Sequence, residues 1–193
     1  MVVVQTEVAK KINERTERIL KWSDSERIQL VDTIISQCDY PHEKYVIVML
    51  YIYGMRPSEL MEITRDNFRV VDDMLRIILP TKKRGFNRVI YLSIESTPYM
   101  GWLSNYIRDN KDLLPVSWHN TTNINGVFAK IARKLNVERI SPYMFRKFRL
   151  SFLAIELDAS AYELQNWKGS KDISSVTPYV MMKPLKKFAK SIR

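Results

Sequence analysis

One β-hairpin, placed among helical segments, constrains the fold of this chain more than any other feature. Two mainly apolar runs, LRIILP at 75–80 and RVIYLS at 88–93, flank the basic, glycine-containing stretch KKRGFN at 82–87. Apolar runs of this length around a glycine-containing turn are typical of two antiparallel strands. This is the clearest strand signal in the chain, so the sequence predicts a small antiparallel sheet.

Helix signals precede the hairpin. Ser-Asp-Ser-Glu at 23–26 is a capping box and predicts a helix start. The chain is expected to break around Pro41, and the apolar run at 45–50 then leads to Gly54 as a helix C-terminus. The β-branched residues of that run leave a strand possible. A new helix is expected at Pro57, because proline suits the first helical position.

Helical periodicity returns after the hairpin. Helices are predicted at 99–108, at 121–135, from Pro142 onwards and at 160–168. The following stretch is expected to be irregular, and it carries Ser174, Ser175, Thr177 and Pro178. The predicted fold class is therefore mostly α with a small antiparallel β-sheet, that is, α+β.

The length of 193 residues suits one domain with a single core. Residues 7–21 have the pattern of a mostly polar helix, so we divide the chain into a linker-like N-terminal helix at 1–22 and one folded domain at 23–193. No run approaches the roughly 18 apolar residues of a membrane span, and the first residues lack a secretory signal. A cytoplasmic protein that does not enter a membrane is expected.

The charge balance favours a polyanionic partner. The chain has 31 Lys and Arg against 21 Asp and Glu, which gives a net charge of +10 and a pI near 9.7. An excess of this size suits nucleic acid, although a solvated basic surface explains it equally simply. Charge therefore points towards DNA or RNA without naming a reaction.

Signatures of several enzyme classes are absent from the sequence. It contains no phosphate-binding glycine loop, zinc pattern or Gly-x-Ser-x-Gly elbow. His42 and His119 lie in predicted loops, and Cys38 has no neighbour at metal-ligand spacing and is expected to be a small core residue. What remains is a series of separated arginines, a basic turn and a tyrosine near the C-terminus.

Four segments, in order along the chain, resemble the motifs of the catalytic domain of the tyrosine recombinase and integrase family. GMRPSEL at 54–60 resembles the first arginine box, and TKKRGFNRVIYLS at 81–93 resembles the hairpin that delivers a lysine. SPYMFRKFRLSF at 141–152 resembles the second arginine box, and SSVTPYV at 174–180 resembles the segment that presents the nucleophile. The resemblance covers nearly the whole chain from about residue 23.

The resemblance implies a reaction and a role for each matching residue. Tyr179 would attack the scissile phosphodiester and form a 3′-phosphotyrosyl bond, which a 5′ hydroxyl later reverses without a cofactor or metal. Arg56 and Arg146 would hold the phosphate oxygens with their planar guanidiniums. Lys82 or Lys83 would donate a proton to the leaving 5′ oxygen.

Two positions depart from the family pattern. Tyr143 stands where the second arginine box usually has histidine. As a catalytic residue it would hydrogen-bond the phosphate through its hydroxyl, since a phenol cannot replace imidazole as a base near neutral pH. The further His or Trp of the family falls at Ser170, so Lys168, Lys171 or Trp167 are candidates for its role. With Tyr143 at this position, the amino-acid sequence of the second box is most similar to that of divergent archaeal virus integrases.

Several neighbours of the boxes are expected to assist. Glu59, three residues after Arg56, is placed to orient an arginine. Basic residues beside the turn and the second box are expected to contact DNA, namely Arg84, Arg88, Lys147 and Arg149.

The family resemblance also implies partners. These are double-stranded DNA at a specific recombination site and further copies of the chain, as a tetramer on DNA. Family members clamp DNA with an additional N-terminal helical domain, for which this chain has only the segment at 1–22. Three alternatives stay open: a type IB topoisomerase, a non-catalytic DNA-binding relative and a protein-interaction module.

Overall fold

The structure is a computed structural model, and it describes residues 23–80 and 87–181. Within these residues, α-helices pack around one three-stranded antiparallel sheet. The helices are α1 (Asp24–Ile35), α2 (Pro41–Tyr53), α3 (Pro57–Leu60), α4 (Met100–Asp109), α5 (Thr121–Lys134), α6 (Pro142–Ile155), α7 (Ala161–Lys168) and α8 (Thr177–Val180). The strands are β1 (Phe68–Val71), β2 (Met74–Leu79) and β3 (Arg88–Ser93), and 3-10 turns occupy Arg65–Asn67 and Ile173–Val176. The predicted mostly α fold with a small antiparallel sheet is confirmed.

Local interactions at the N-termini determine where the first two helices begin. The Ser23 amide donates to Glu26 Oε2 at 2.8 Å, and the Glu26 amide donates to Ser23 Oγ at 3.4 Å, so the predicted capping box is formed. The apolar run at 45–50 is helical, not a strand. The expected break between the two helices is present at 36–40, and Pro41 is the first residue of α2, where a missing amide hydrogen costs nothing.

Gly54 ends α2 in the left-handed conformation, with a φ of 59°. A Cβ added there would lie 3.0 Å from the Cβ of Arg149 on α6. We therefore expect Gly54→Ala to lower the free energy of unfolding by roughly 1–2 kcal/mol or more, measured by urea denaturation. Gly126→Ala is the matched control, since nothing lies within 4 Å of its Cβ position in α5. It should raise stability by roughly 0.5–1 kcal/mol, and equal stabilities for the two variants would contradict the expectation.

The sheet has the strand order β1–β2–β3, with Ile77 of the central strand paired to Phe68 on one side and Ile90 on the other. Strands β2 and β3 are the predicted hairpin. The sequence analysis missed β1, because it has only four residues and two exposed valines. The turn at 81–86 lies outside the described residues, and so do the linker-like helix at 1–22 and residues 182–193.

Helix α6 joins two hydrophobic clusters. Its first half contributes Phe145 and Phe148 to the larger cluster, which also contains α2, α5 and the inner face of the sheet. Its second half contributes Leu150 and Leu153 to a smaller cluster with α7 and α8. Arg146 is therefore held between the two clusters on a well-packed helix. None of the described helices is long and apolar enough to cross a membrane.

The stretch after α7, expected to be irregular, is a 3-10 turn followed by the short helix α8. Asp172 starts the turn, because its Oδ1 accepts the Ser174 amide at 2.8 Å. Pro178 lies in the first turn of α8, where its fixed φ suits the helix. This corrects the sequence expectation and gives Tyr179 a defined place on a helix.

Candidate active site

In the first arginine box, Arg56 and Glu59 are joined by two hydrogen bonds at the junction of α2 and α3. The Arg56 amide donates to Glu59 Oε2 at 2.8 Å, and Arg56 Nη1 donates to Glu59 Oε1 at 2.7 Å. Pro57 and the three-residue spacing set this geometry, because α3 starts at Pro57 and returns Glu59 to its own N-terminus. The Arg56 side chain is 30% exposed, so it remains accessible to a ligand.

Arg146 is buried between the ends of two helices. Its Nη1 donates to the Gly54 carbonyl at 2.8 Å, and its Nη2 donates to the Lys168 carbonyl. The same Nη1 lies 3.8 Å from Glu59 Oε2. The two arginines of the predicted boxes therefore meet at one carboxylate, although they are far apart in the sequence.

Arg88 is the third arginine at this carboxylate. Its Nη2 lies 2.9 Å from Glu59 Oε2, and its Nη1 donates to the Trp167 carbonyl. Only 5% of the side chain is exposed, so Arg88 points into the fold, whereas the sequence predicted a side chain that contacts DNA. Arg88, Ile90 and Leu92 alternate along β3, and this period-two pattern is the sequence signal from which the inward position of Arg88 could have been found.

The electrostatics of the cluster favour the ionised form of Glu59. Burial alone would raise the pKa of Glu59, but Arg88, the Arg56 amide, Arg146 and the Arg56 side chain together hold it below its ordinary value. Burial and the charge of Arg56 lower the pKa of Arg146 to about 10. Three guanidiniums thus share one carboxylate, which leaves two positive charges in excess.

Tyr179 lies beside this cluster on α8. It is only 8% exposed and packs with Leu164 and Val176 in the smaller hydrophobic cluster. Burial raises the pKa of its hydroxyl, and the nearby charge of Arg146 acts in the opposite direction. The charge of Arg146 therefore acts on the hydroxyl of Tyr179, the tyrosine that the sequence analysis predicts to be the nucleophile.

Among the candidates for the role of the family's further His or Trp, Lys168 lies beside the arginines. Its Nζ donates to the Ser175 carbonyl at 2.6 Å, and its own carbonyl accepts from Arg146. Burial and the charges of Arg146 and Arg56 lower its pKa. Ser170 is engaged with Ser175 through their hydroxyls at 2.9 Å, and Lys171 is exposed. The Trp167 indole donates to the Tyr53 carbonyl at 2.9 Å and is structural.

The remaining predicted residues on α6 lie in different surroundings. Tyr143 is 53% exposed on the first turn, one turn before Arg146, and Lys147 is half-buried. Arg149 packs over the rings of Phe152 and Trp167, at 5.2 Å and 4.9 Å from their centroids. Burial lowers its pKa to about 10. Arg149 therefore packs against aromatic rings, whereas the sequence predicted a side chain that contacts DNA.

Lys82, Lys83 and Arg84 lie outside the described residues, so their predicted roles stay predictions. In the described part of the chain, no group of three or more His, Cys, Asp or Glu side chains could hold a metal ion.

Comparisons with known proteins agree with the fold. Among solved structures, the chain is similar to the XerH site-specific recombinase bound to difH substrate in a pre-cleavage complex, with a TM-score of 0.65 and 14% identity over 89% of this chain and 52% of that one. It is similar to the Tn1549 transposon integrase in complex with transposon right end DNA, with a TM-score of 0.64 and 14% identity over 89% and 64% of the two chains. For the XerA recombinase the TM-score is 0.61, with 13% identity over 89% and 62%.

At these identities the similarity establishes the fold alone, and the chain spans between 52% and 64% of the length of these three structures. No curated protein sequence matches the chain. The sequence profile of the phage integrase family matches residues 21–184, which is most of the chain and includes both arginine boxes and Tyr179. The chain therefore belongs to the phage integrase family of tyrosine recombinases.

Proposed function

We propose that the protein is a site-specific DNA recombinase, and that Tyr179 cleaves DNA strands to form a 3′-phosphotyrosyl intermediate. The observation that carries this proposal is the convergence of Arg56, Arg88 and Arg146 on Glu59, beside the tyrosine. The excess positive charge of this cluster complements the negative charge of a phosphodiester. It complements still better the additional negative charge that develops when the phosphorus becomes pentavalent.

The proposed chemistry is a balanced transesterification. The Tyr179 oxygen bonds to phosphorus and releases its proton to solvent, and the bond from phosphorus to the 5′ oxygen breaks. Lys82 or Lys83 donates a proton to that leaving oxygen. Arg56 and Arg146 stabilise the charge on the non-bridging oxygens, since Arg56 is accessible and Arg146 is rigidly held by two carbonyls. A partner strand's 5′ hydroxyl then reverses the step, so no external energy source is needed.

Lys168 is proposed to take the role that a His or Trp has in the family, in preference to Ser170 or Lys171. Its ammonium group is partly buried and lies in the field of Arg146 and Arg56, whereas Lys171 is exposed. We expect Lys168→Met to slow adduct formation by on the order of 10²-fold, the usual effect of losing one charged donor at a transition state. Lys171→Met, its matched control, should form the adduct at a rate within about threefold of the wild type. Equal losses of rate in both variants would contradict the assignment.

The partners follow from the same proposal. The XerH and Tn1549 structures are DNA complexes, and we extend double-stranded DNA with a specific recombination site to this chain. Lys147 and Arg84 are proposed to contact its phosphates. Residues 23–193 would form the catalytic domain and 1–22 a linker-like helix. We also propose that the protein acts as a tetramer on DNA, in the cytoplasm of a host for a virus or mobile element.

The deciding experiment uses a nicked DNA substrate that releases a short 5′ fragment and so traps the covalent intermediate. After denaturation, a protein–DNA adduct on a gel, mapped by mass spectrometry to the Tyr179 peptide, is the expected result. DNA binding without an adduct would indicate a non-catalytic relative. Relaxation of a supercoiled plasmid without recombination sites would instead favour the topoisomerase alternative.

A further inference from the structure

The strand β3 inserts a buried arginine into the candidate active site. Arg88 begins that strand, and its guanidinium makes contacts in two directions at once. One nitrogen lies 2.9 Å from Glu59 Oε2, and another donates to the carbonyl of Trp167, next to Lys168. Arg88 therefore connects the sheet to the first arginine box and to the end of α7.

The carboxylate of Glu59 depends on this contact. Its Oε1 accepts from Arg56 Nη1, and its Oε2 accepts from the Arg56 amide and faces Arg88. Arg146 is farther away, at 3.8 Å from Oε2. Without Arg88, Arg146 would remain as the buried arginine near Oε2, and a shift of the carboxylate towards it would turn Glu59 away from Arg56.

The site for Arg88 is shaped for a guanidinium. A Cβ added at Gly169 would lie 3.0 Å from Arg88 Nε and 3.2 Å from Cζ, so the absence of a side chain there makes room for the flat group. A lysine has one nitrogen and could not contact both Glu59 and the Trp167 carbonyl in the same geometry. With 5% of the side chain exposed, Arg88 is also withdrawn from solvent.

We propose that Arg88 is a positioning residue for strand cleavage: it holds the Glu59 carboxylate ionised and turned towards Arg56, so that Arg56 is presented to the scissile phosphate. This inference rests on the proposed function. Arg88 itself does not touch DNA, which separates it from Arg56 and from the basic residues that contact phosphates.

The test follows adduct formation on the nicked substrate as a function of pH for the wild type, Arg88→Gln, Glu59→Gln and the double variant. The charged groups that face Glu59 are Arg56 on α3, Arg88 on β3 and Arg146 on α6. Removing the positive charge of Arg88 makes Glu59 easier to protonate. In Arg88→Gln the acidic limb of the rate profile should therefore move to higher pH, by roughly one unit or more.

At pH 7.5 we expect Arg88→Gln to slow adduct formation about tenfold. In Glu59→Gln the acidic limb caused by Glu59 should be absent, and the double variant should be no more than about twofold slower than Glu59→Gln, because two residues that act through one contact are not additive. An unmoved acidic limb in Arg88→Gln, or fully additive losses in the double variant, would overturn the proposal.

DNA affinity supplies an independent measurement. Each phosphate contact contributes about 0.9 to the slope of log affinity against log salt concentration. Arg88→Gln should leave this slope unchanged, and a decrease of about one in its magnitude would identify Arg88 as a DNA contact and overturn the positioning role.

If Arg88→Gln does not fold, Arg88→Lys provides the test, because it retains the positive charge. Arg88→Lys should still slow adduct formation severalfold, and a wild-type rate in this variant would also overturn the positioning role. A wild type that forms no adduct would refute the proposed function itself, and this inference with it.

Discussion

Tyr179→Phe is expected to fold and to bind DNA as the wild type does, and to form no covalent adduct with a nicked substrate. The substitution removes one hydroxyl and keeps the ring that packs with Leu164 and Val176. The free energy of unfolding should therefore change by less than about 1 kcal/mol. Because the substitution removes the proposed nucleophile, adduct formation should fall by at least about 10⁴-fold, as is typical when a nucleophile is removed.

The comparison for this variant is Tyr162→Phe. Tyr162 is 71% exposed on α7, so the loss of its hydroxyl should leave both the adduct and its rate as in the wild type. The adduct is measured on denaturing gels and DNA binding by fluorescence anisotropy. An adduct that persists in Tyr179→Phe would show that another residue attacks the DNA, and the assignment would be lost.

Glu59→Ala is expected to reduce stability strongly. The carboxylate is shared by Arg56, Arg88 and Arg146, and the last two are buried. Removing one partner of a buried ion pair leaves uncompensated charge and costs roughly 3–5 kcal/mol. In a domain of this size that corresponds to a fall in Tm of roughly 6–20 °C. Thermal and urea unfolding measure the effect, with Glu138→Ala at an exposed position as the control.

The stability that Glu59 provides should depend on pH with a defined sign. The pKa of Glu59 is lower in the folded protein than its ordinary value, because the nearby arginines outweigh the effect of burial. Its contribution is thus fully present above the unfolded-state pKa, about 4.3, and is lost as pH falls through the folded-state pKa. The stability difference between the wild type and Glu59→Gln should shrink below about pH 4. A Glu59→Ala protein within about 1 kcal/mol of the wild type at pH 7 would contradict the role of this carboxylate.

Local chemistry explains which elements were predictable. The capping box at Ser23, the left-handed Gly54 and the alternation in β2 and β3 act within a few residues, so the sequence contains the whole cause. The break around Pro41 was predictable as well, because proline is unfavourable inside a helix, and it occupies the first position of α2. The short helix α8 was missed because a serine-rich, proline-containing stretch has no apolar periodicity.

The sequence alone therefore predicted the two arginine boxes, Glu59 and Tyr179, because each belongs to a short motif with its own local geometry. It did not reveal that Arg88 is buried, that Arg149 packs over the ring of Trp167, or that Lys168 rather than Lys171 lies beside the arginines. Those facts depend on contacts between distant parts of the chain: Arg146 meets Gly54 across 92 residues, and Arg88 meets Trp167 across 79. Whether a basic side chain faces solvent or a buried carboxylate depends on which helices and strands pack around it, and that is known only once the chain has folded.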